Sequence, residues 1–329
     1  MGFSPEKNKI YMNNIEIPTA PVLLITFNRP DYTIQVFEKI RQAKVKKLYI
    51  ANDGPREGNI EDQKAREEIK KIIDSIDWDC EVHTLFQEKN LGCGIGVSTA
   101  ITWAFENEDR MIILEDDCVP SLSFFDYCSH CLEKYKNDTR VWLINGRSHH
   151  QGSKFFNDSD YIFSHYSHCG GWATWKRVWE GFNINMPNND KFMAQGGFDN
   201  VYFSMKEARF FNKHYSRLFR DNNLIKHSWA YPFDYYVSSN RGLSIVPAKN
   251  MIKNVGLYGV HSSGTRTFVH KLEICESFSF DKEPLFVLPN CKYDYYHYKN
   301  HMKKIMGKAP IYRRVISKIR KLWKRLWKK

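Results

Sequence analysis

The feature that most constrains this chain is an alternation of apolar, strand-like runs with amphipathic, helix-like stretches in its first third. Four predicted strands cover residues 21–27, 47–51, 81–86 and 110–114. Apolar residues with helical spacing fall between them, over residues 31–44, 61–76 and 97–106. The first run is apolar throughout, which is typical of a parallel strand buried on both faces. This order predicts an open α/β sheet with crossover connections.

Polar residues follow three of the predicted strands, at the point where each strand ends. Asn28 and Arg29 follow the first strand, Asp53 follows the second, and an acidic triplet (Glu115–Asp117) follows the fourth. Ligands of open α/β sheets bind beyond the carboxyl ends of the strands. We therefore expect these residues to lie near one crevice.

The acidic triplet predicts a metal site. Three adjacent carboxylates repel one another, and this repulsion raises their pKa values unless a cation neutralises them. Mg²⁺ and Mn²⁺ prefer carboxylate oxygens and accept phosphate as a further ligand. A metal held at a strand end can stabilise a diphosphate leaving group. The alternative interpretation is a solvated acidic turn.

Two other motifs have simpler interpretations. The glycine-rich segment 92–96 could bind phosphate at a helix N-terminus, but it lacks a Walker or Rossmann pattern and fits a tight turn better. Cys128 and Cys131 have no second spaced cysteine pair, which argues against structural zinc there.

Residues 155–236 hold 22 of the 49 aromatic residues, a density typical of a core, although Trp172 could stack on a sugar.

The basic charge of the chain is confined to its end. The formal net charge is +12, and residues 301–329 hold twelve basic and no acidic residues, so the rest is neutral overall. This distribution argues against a nucleic-acid-binding body. Within 310–329, apolar and Trp residues recur at helical spacing opposite Lys and Arg. The pattern predicts a basic amphipathic helix on an anionic membrane surface, with a nucleic-acid arm or a partner helix as alternatives.

Several segments, taken in order, resemble the GT-A nucleotide-sugar transferases. They are Val22–Pro30, Ala51–Arg56, Lys89–Gly92, Ile113–Asp117 and Gly170–Trp175. The chain is most similar to the N-acetylglucosaminyltransferase I-like group and to bacterial relatives labelled "hemolytic protein HlpA-like", over about residues 20–265. The resemblance implies a GT-A fold: one α/β domain with a mixed, mostly parallel sheet.

The resemblance also implies roles for individual residues. Nucleotide binding falls to Thr26, Phe27, Asn28, Arg29, Asp53, Asn90, Glu115 and Asp116. Contacts with the donor or acceptor sugar fall to Gly170, Gly171 and Trp172. Asp117 and His261 would hold Mn²⁺ or Mg²⁺. Asp234 is the candidate catalytic base of an inverting transfer, with Asp190 and Asp199 as substitutes.

No linker rich in Pro, Gly or Ser divides the chain. We therefore expect an N-terminal extension (1–14), one GT-A domain (15–300) and the basic tail (301–329). The domain would comprise a nucleotide-binding half (20–150) and an acceptor half (151–300).

The predicted function is metal-dependent transfer of a sugar from a nucleotide-diphosphate donor, such as a UDP-sugar, to a glycan or lipid-linked acceptor. The polar first 14 residues and the scattered cysteines favour a cytoplasmic protein, which the tail would attach to the inner face of the membrane. One alternative is a membrane-perturbing protein that acts through the tail. A nucleotidyltransferase is a weaker alternative, because Asn28–Pro30 stands where a glycine-rich loop is usual.

Overall fold

The computed structural model describes residues 11–12, 15–220, 228–257 and 268–306. His261 lies outside the described residues, and so does the predicted membrane-binding helix at 310–329. The statements below concern the described residues.

The strands form one eight-stranded sheet and two short ribbons. In chain order they are β1 (Tyr11–Met12), β2 (Ile15–Glu16), β3 (Val22–Thr26), β4 (Lys47–Asn52), β5 (Glu81–Phe86), β6 (Arg110–Glu115), β7 (Cys118–Pro120), β8 (Val141–Asn145), β9 (Tyr161–Ser164), β10 (Trp172–Trp175), β11 (Leu243–Pro247) and β12 (Ile252–Asn254). The large sheet has the order β5-β4-β3-β6-β10-β8-β11-β9. Four of its seven strand pairs are parallel, and β10 runs antiparallel between β6 and β8. The predicted mixed, mostly parallel α/β sheet is confirmed.

The helices connect the strands and cover the sheet. They are α1 (Pro30–Ala43), α2 (Ile60–Asp74), α3 (Gly92–Phe105), α4 (Leu122–Lys134), α5 (Lys176–Trp179), α6 (Asn189–Ala194), α7 (Met205–Leu218), α8 (Ala230–Ser239), α9 (Cys291–His297) and α10 (Lys303–Met306). Short 3₁₀ turns span Lys154–Phe156, Gly197–Asn200 and Phe268–Lys271, and a π-helical turn, Tyr298–Met302, joins α9 to α10.

Local sequence explains where the first helices begin. Pro30 starts α1, where its missing N–H would have no helical partner and its fixed φ favours the helix. Asn59 caps α2, since its side chain accepts a hydrogen bond from the Asp62 N–H. The buried residues Val36, Phe37 and Ile40 then direct one face of α1 into the core, as the helical spacing predicts.

The glycine-rich segment 92–96 differs from its prediction as a tight turn. It forms the first turn of α3, which begins at Gly92. Asp53 accepts hydrogen bonds from the N–H groups of Leu91 and Gly92 at that helix end, 2.9 and 3.0 Å away. A carboxylate at a helix N-terminus stabilises the helix, and it offsets the low helix propensity of the glycines. The same contacts take up donors that a bound phosphate would need.

Most of the aromatic-rich region belongs to the core, as predicted. One cluster of buried apolar side chains surrounds the large sheet, and a second, mainly aromatic cluster packs among the later helices. The second cluster includes Phe198, Phe211, Tyr215, Tyr235 and Met302. Aromatic rings of this size contribute much of the apolar area that a core buries.

The C-terminal end of the packed region lies beyond the predicted domain boundary at residue 300. His301 and Met302 are buried, with 6% and 2% of their surface exposed. Met306 also packs against the second cluster. The first residues of the predicted tail therefore contribute to the packing of the body.

Candidate functional site

The site is built at the carboxyl edge of three neighbouring parallel strands. β3 pairs with β4 and with β6, and Ile25 lies beside Glu115 across the second pair. The residues that follow these strands consequently lie at one edge of the sheet. The sequence-predicted grouping of Asn28, Arg29, Asp53 and the acidic triplet follows from this register.

Arg29 is the main partner of the acidic triplet. Its Nε donates to Asp116 Oδ2 at 3.1 Å, its Nη2 donates to Asp116 Oδ1, and its Nη1 donates to Asp117 Oδ2 at 3.3 Å. Asp116 is 3% exposed. The planar guanidinium therefore holds the buried carboxylate with two hydrogen bonds, a geometry that Lys cannot reproduce.

Arg29 does not keep the whole triplet ionised. Burial, and then repulsion from Asp117 and Asp116, raises the pKa of Glu115 to about 8. Burial raises the pKa of Asp116 to about 6, because the loss of water outweighs the attraction of Arg29. Full ionisation of all three carboxylates is therefore unfavourable, and a further cation would favour the ionised forms.

Asp117 is partly exposed and is held by longer hydrogen bonds than Asp116. Its side chain is 20% exposed, and Asn254 Nδ2 donates to its Oδ1 at 3.3 Å. The backbone of Gly256 lies against its other side, since a Cβ there would be 2.2 Å from Oδ2. A cation could replace these long contacts more easily than the pairing of Asp116. Sequence reasoning missed Asn254 and Gly256, because both reach the site through the β12–β7 ribbon.

A second arginine, Arg147, lies next to this edge. Its Nη2 donates to Cys118 Sγ at 3.4 Å, and its charge lowers the pKa of Glu115. Gly170 lies directly against the guanidinium, where a Cβ would be 2.0 Å from Cζ. The predicted sugar-contacting glycine therefore makes room for Arg147. No pattern in the sequence pointed to Arg147, because it follows β8 in the second half of the chain.

Several predicted nucleotide-binding side chains bind other residues of the chain. Thr26 donates to Ala51 O at 3.1 Å, and Asn28 Nδ2 donates to Asp62 Oδ1 at 2.8 Å. Phe27 lies beneath Arg56, whose Cζ is 5.6 Å from the ring centroid. The ring of Phe27, with Arg56 above it, is the surface best suited to stacking on a nucleotide base.

Arg56 and Asn28 are organised by Asp62, which sequence reasoning missed. Arg56 Nε donates to Asp62 Oδ2 at 2.6 Å, and its Nη2 donates to Oδ1 at 2.7 Å. The hydrogen bonds from Arg56 are the largest influence on this carboxylate and lower its pKa to about 2. This ion pair, with Asp62 buried and Arg56 exposed, fixes the chain that passes over the ends of β3 and β4.

Asp53 connects two loops, and both of its carboxylate oxygens accept hydrogen bonds. Its carboxylate accepts the N–H groups of Gly54, Leu91 and Gly92 and the amide of Asn90, all at 2.9 to 3.0 Å. Burial nevertheless raises the pKa of Asp53. Both Asp53 and Asn90 thus hold the shape of the edge, and a direct contact with a ribose would require them to exchange partners.

Trp172 does not line the edge as expected. It lies on β10 with no exposed surface, and its ring stacks on Trp229 at 5.6 Å between centroids. Since β10 is an interior strand, the ring belongs to the core beneath the site. Gly171 precedes it with a φ of +71°, a conformation that favours glycine. The sugar-stacking interpretation of Trp172 is therefore wrong for this arrangement.

Asp234 lies on α8 and has a raised pKa because it is buried. Ser167 Oγ donates to its Oδ1 and Tyr215 OH donates to its Oδ2, both at 2.5 Å. Asp190 and Asp199, the substitute bases, are exposed at the surface. Of these three, Asp234 is the one that is partly buried and held in one orientation by hydrogen bonds, and a general base needs a fixed orientation.

Cys169 connects Asp234 to the acidic triplet. The charges of Asp234 and Glu115 both raise the pKa of its thiol, after the larger effect of burial. Both carboxylates therefore lie within electrostatic range of this one residue, at the segment leading into β10. The structure brings together the triplet, Arg29 and Arg147 at this edge, whereas the hydrogen-bond partners of Asp234 on α8 are Ser167 and Tyr215.

Comparisons with known proteins gave limited similarity. No family model matches the chain, and no curated protein matches it. Among solved structures, it is similar to UDP-glucose pyrophosphorylase complexed with UDP-glucose, at 10% identity and a TM-score of 0.30, over 51% of this chain and 82% of that one. A 4-diphosphocytidyl-2C-methyl-D-erythritolsynthase from Anaerococcus prevotii DSM 20548 is 10% identical, with a TM-score of 0.32, over 60% and 99%. The glycosyltransferase GlyE of Streptococcus pneumoniae TIGR4 is 13% identical, with a TM-score of 0.31, over 64% and 45%.

Similarity at this level is too weak to indicate an activity, which has to be inferred from the geometry of the site. Among the described residues, no helix is both long and apolar enough to cross a membrane.

Proposed function

We propose that this chain is a glycosyltransferase that moves a sugar from a nucleotide-diphosphate donor, such as a UDP-sugar, to a hydroxyl group of a glycan or lipid-linked acceptor. The observation that carries the proposal is the acidic triplet at the carboxyl end of β6, where Arg29 is shared between Asp116 and Asp117 and Asp117 stays partly exposed. The sequence resemblance to GT-A transferases supports the same interpretation.

The residues present fit a hard divalent cation such as Mn²⁺ or Mg²⁺. Asp117 supplies a partly exposed carboxylate with long contacts, and a cation would favour the ionised form of Glu115, whose pKa is raised by burial and then by repulsion from Asp117 and Asp116. Asp116 is less suited as a ligand, because Arg29 occupies both of its oxygens. When bound, the cation would stabilise the negative charge of the departing diphosphate.

Asp234 would remove the proton from the attacking acceptor hydroxyl. Its carboxylate is held by Ser167 and Tyr215, so its orientation is fixed before a substrate arrives. The raised pKa makes it a better proton acceptor than an exposed aspartate. A single base acting on the acceptor corresponds to inversion at the anomeric carbon.

Phe27 and Arg56 would bind the base of the donor. The ring of Phe27 offers a stacking surface, and the buried Asp62 fixes the Arg56 guanidinium beside it. Arg29 would keep Asp116 ionised and in place, and it could exchange its long contact with Asp117 for a phosphate oxygen.

A binding experiment tests the metal and donor sites together. Calorimetric titration of the full chain with UDP and MnCl₂ should show binding that EDTA abolishes. Asp117→Asn should weaken this binding at least tenfold, while Asp199→Asn, a carboxylate at an exposed position, should leave it unchanged. Equal binding by the wild type with and without EDTA would contradict the metal site, and failure to bind any nucleoside diphosphate would contradict the proposed function.

A turnover experiment tests the base. Asp234→Asn should lower kcat for transfer or for slow donor hydrolysis by about 10²–10⁴-fold, with the affinity for UDP and Mn²⁺ kept. Proton NMR of the product reports the anomeric configuration. Release of pyrophosphate in place of a nucleoside diphosphate would favour the nucleotidyltransferase alternative.

The membrane part of the proposal comes from the basic sequence at 310–329. We propose that this helix attaches the enzyme to the inner face of the cytoplasmic membrane, where a lipid-linked acceptor would be presented. Sedimentation with anionic vesicles tests attachment. Leakage of those vesicles that survives Asp117→Asn would favour the membrane-perturbing alternative.

A further inference from the structure

Five histidines from separate parts of the chain converge beside the segment that leads into β10. They are His149, His150, His168, His297 and His301. The ring centroids of His149 and His168 lie 4.1 Å apart, and so do those of His149 and His301. The proposed transferase chemistry uses none of them.

Three members of this histidine cluster can share one ion. One ring nitrogen from each of His149, His168 and His301 lies within 4.8 Å of the other two. The nitrogens bound to a tetrahedral zinc ion lie about 3.4 Å apart, since each is about 2.0–2.1 Å from the metal. Side-chain movements of about 1 Å would therefore bring all three onto one ion.

The ligand positions are held by the fold. His149 follows β8, His168 precedes β10, and His301 lies in the π-helical turn that joins α9 to α10. Such a turn is rare and is often found at functional sites. Here it brings the rings of His297 and His301 into a stacked pair with centroids 4.9 Å apart.

His297 has the position of an outer-sphere partner. Its Nε2 is 3.0 Å from His168 Nε2, and its Nδ1 is 3.0 Å from His150 Nε2. Histidine ligands of metals almost always use their second ring nitrogen in such a hydrogen bond, which fixes the ring and the tautomer. A metal on His168 Nδ1 would leave Nε2–H to donate to His297.

The electrostatic environment favours neutral imidazoles. Burial, followed by repulsion among the histidines, lowers the pKa values of His149, His168 and His297 well below the usual range. Burial, then His150 and the cations Arg147 and Lys304, lower the pKa of His301 to about 4. A neutral imidazole has the lone pair that binds a metal ion. The positive charges of Arg147 and Lys304 would reduce the affinity of the cluster for that ion.

We propose that His149, His168 and His301 form a binding site for a zinc-class divalent transition-metal ion, with His297 as a positioning residue. Three imidazole ligands suit zinc, cobalt or copper and leave one position for water or a substrate atom. The site would hold the C-terminal helical segment against the edge of the sheet. It differs in chemistry from the acidic triplet, whose oxygens suit Mn²⁺ or Mg²⁺.

Cobalt is the probe that reports binding directly. The full chain, without an affinity tag and stripped with a chelator, is titrated with CoCl₂ while visible d–d absorption is recorded, and ZnCl₂ is then added in competition. One equivalent of Co²⁺ should give a tetrahedral spectrum that one equivalent of Zn²⁺ removes. Absence of stoichiometric binding would show an imidazole cluster held by hydrogen bonds alone and would overturn the proposal.

Variants locate the ion and separate it from the transferase site. His149→Gln and His301→Gln should each weaken Co²⁺ binding at least tenfold, and His297→Gln should weaken it about 10–100-fold. His83→Gln, a partly exposed histidine on β5, serves as the matched control and should bind normally. Asp117→Asn should lose binding of UDP with Mn²⁺ but retain Co²⁺. Retention of Co²⁺ in both ligand variants, or its loss in Asp117→Asn, would overturn the assignment.

Wild-type crystals provide a test that does not depend on the folding of variants. After soaking in ZnCl₂, anomalous scattering at the zinc edge should give a peak about 2.0–2.1 Å from a ring nitrogen of each of the three histidines. A map without a peak there would overturn the proposal.

Discussion

Replacing Arg29 with Met should destabilise the fold strongly, because it leaves buried carboxylates without their cation. The Asp116 side chain is 4% exposed and pairs with two nitrogens of the guanidinium. Breaking a buried pair by removal of one partner costs about 3–5 kcal/mol. Arg29 is itself 25% exposed, so water can reach the gap and we expect about 3 kcal/mol, at the low end of that range.

The loss should depend on pH in a defined direction. Burial raises the pKa of Glu115 to about 8 and that of Asp116 to about 6, so their ionisation opposes folding. For carboxylates with raised pKa values, stability is greatest at low pH and decreases as the pH rises through the range from about 4 to 8. Removal of Arg29 raises both pKa values further. The difference between wild type and Arg29→Met should therefore be largest at pH 8 and smaller at pH 5.

Equilibrium urea unfolding at pH 5 and pH 8 measures this effect. Arg29→Lys is the matched control, since it keeps the charge and loses only the two-pronged hydrogen bonding, and it should lose less than Arg29→Met. MnCl₂ should restore part of the stability of Arg29→Met if the cation takes over the neutralising role. A loss below about 1 kcal/mol at pH 8 would refute the inference that Arg29 compensates the triplet.

Three further predictions follow from the packing. Glu207→Gln should stabilise the protein at pH 8 by about 3 kcal/mol, because burial raises the pKa of Glu207 from 4.5 to about 7 and each pH unit corresponds to about 1.36 kcal/mol. The urea midpoints of the two proteins should differ little at pH 4.5. Gly256→Ala would place a Cβ 2.2 Å from Asp117 Oδ2 and should weaken UDP–Mn²⁺ binding, whereas Lys253→Ala, an exposed neighbour, should not. A chain ending at Met306 should keep its melting temperature and its nucleotide binding and lose vesicle binding; one ending at Asn300 should also melt lower, since Met302 is buried.

The first half of the fold could be predicted from the sequence because its signals are local. The strands β3, β4, β5 and β6 begin and end within one or two residues of the predicted runs, and helical spacing located α1 and α2. Each of these elements has a continuous apolar face and an end marked by polar or turn residues. Their parallel order then fixes which polar residues share an edge.

The second half could not be predicted in the same way. β10 is short and aromatic, and its place between β6 and β8 depends on pairing partners distant in sequence. Trp172 therefore looked like a surface ring after a glycine turn, although the insertion of β10 buries it. The roles of Arg147 and Asn254 have the same origin, because each side chain meets its partner across a long stretch of chain.

The antiparallel insertion of β10 explains why the two proposed metal sites are neighbours. Because β10 runs against β6 and β8, the segment before it, with His168, Cys169 and Gly170, arrives at the same edge as the triplet. Arg147 then stands between two groups of ligands, since its charge acts on Glu115 and also on His149, His168 and His301. Replacing this cation with Met should tighten Co²⁺ binding to the histidine cluster and raise the pKa of Glu115. If the two sites were one, Co²⁺ binding would depend on Asp117. Co²⁺ binding that Arg147→Met strengthens and that Asp117→Asn leaves unchanged would therefore show two separate sites.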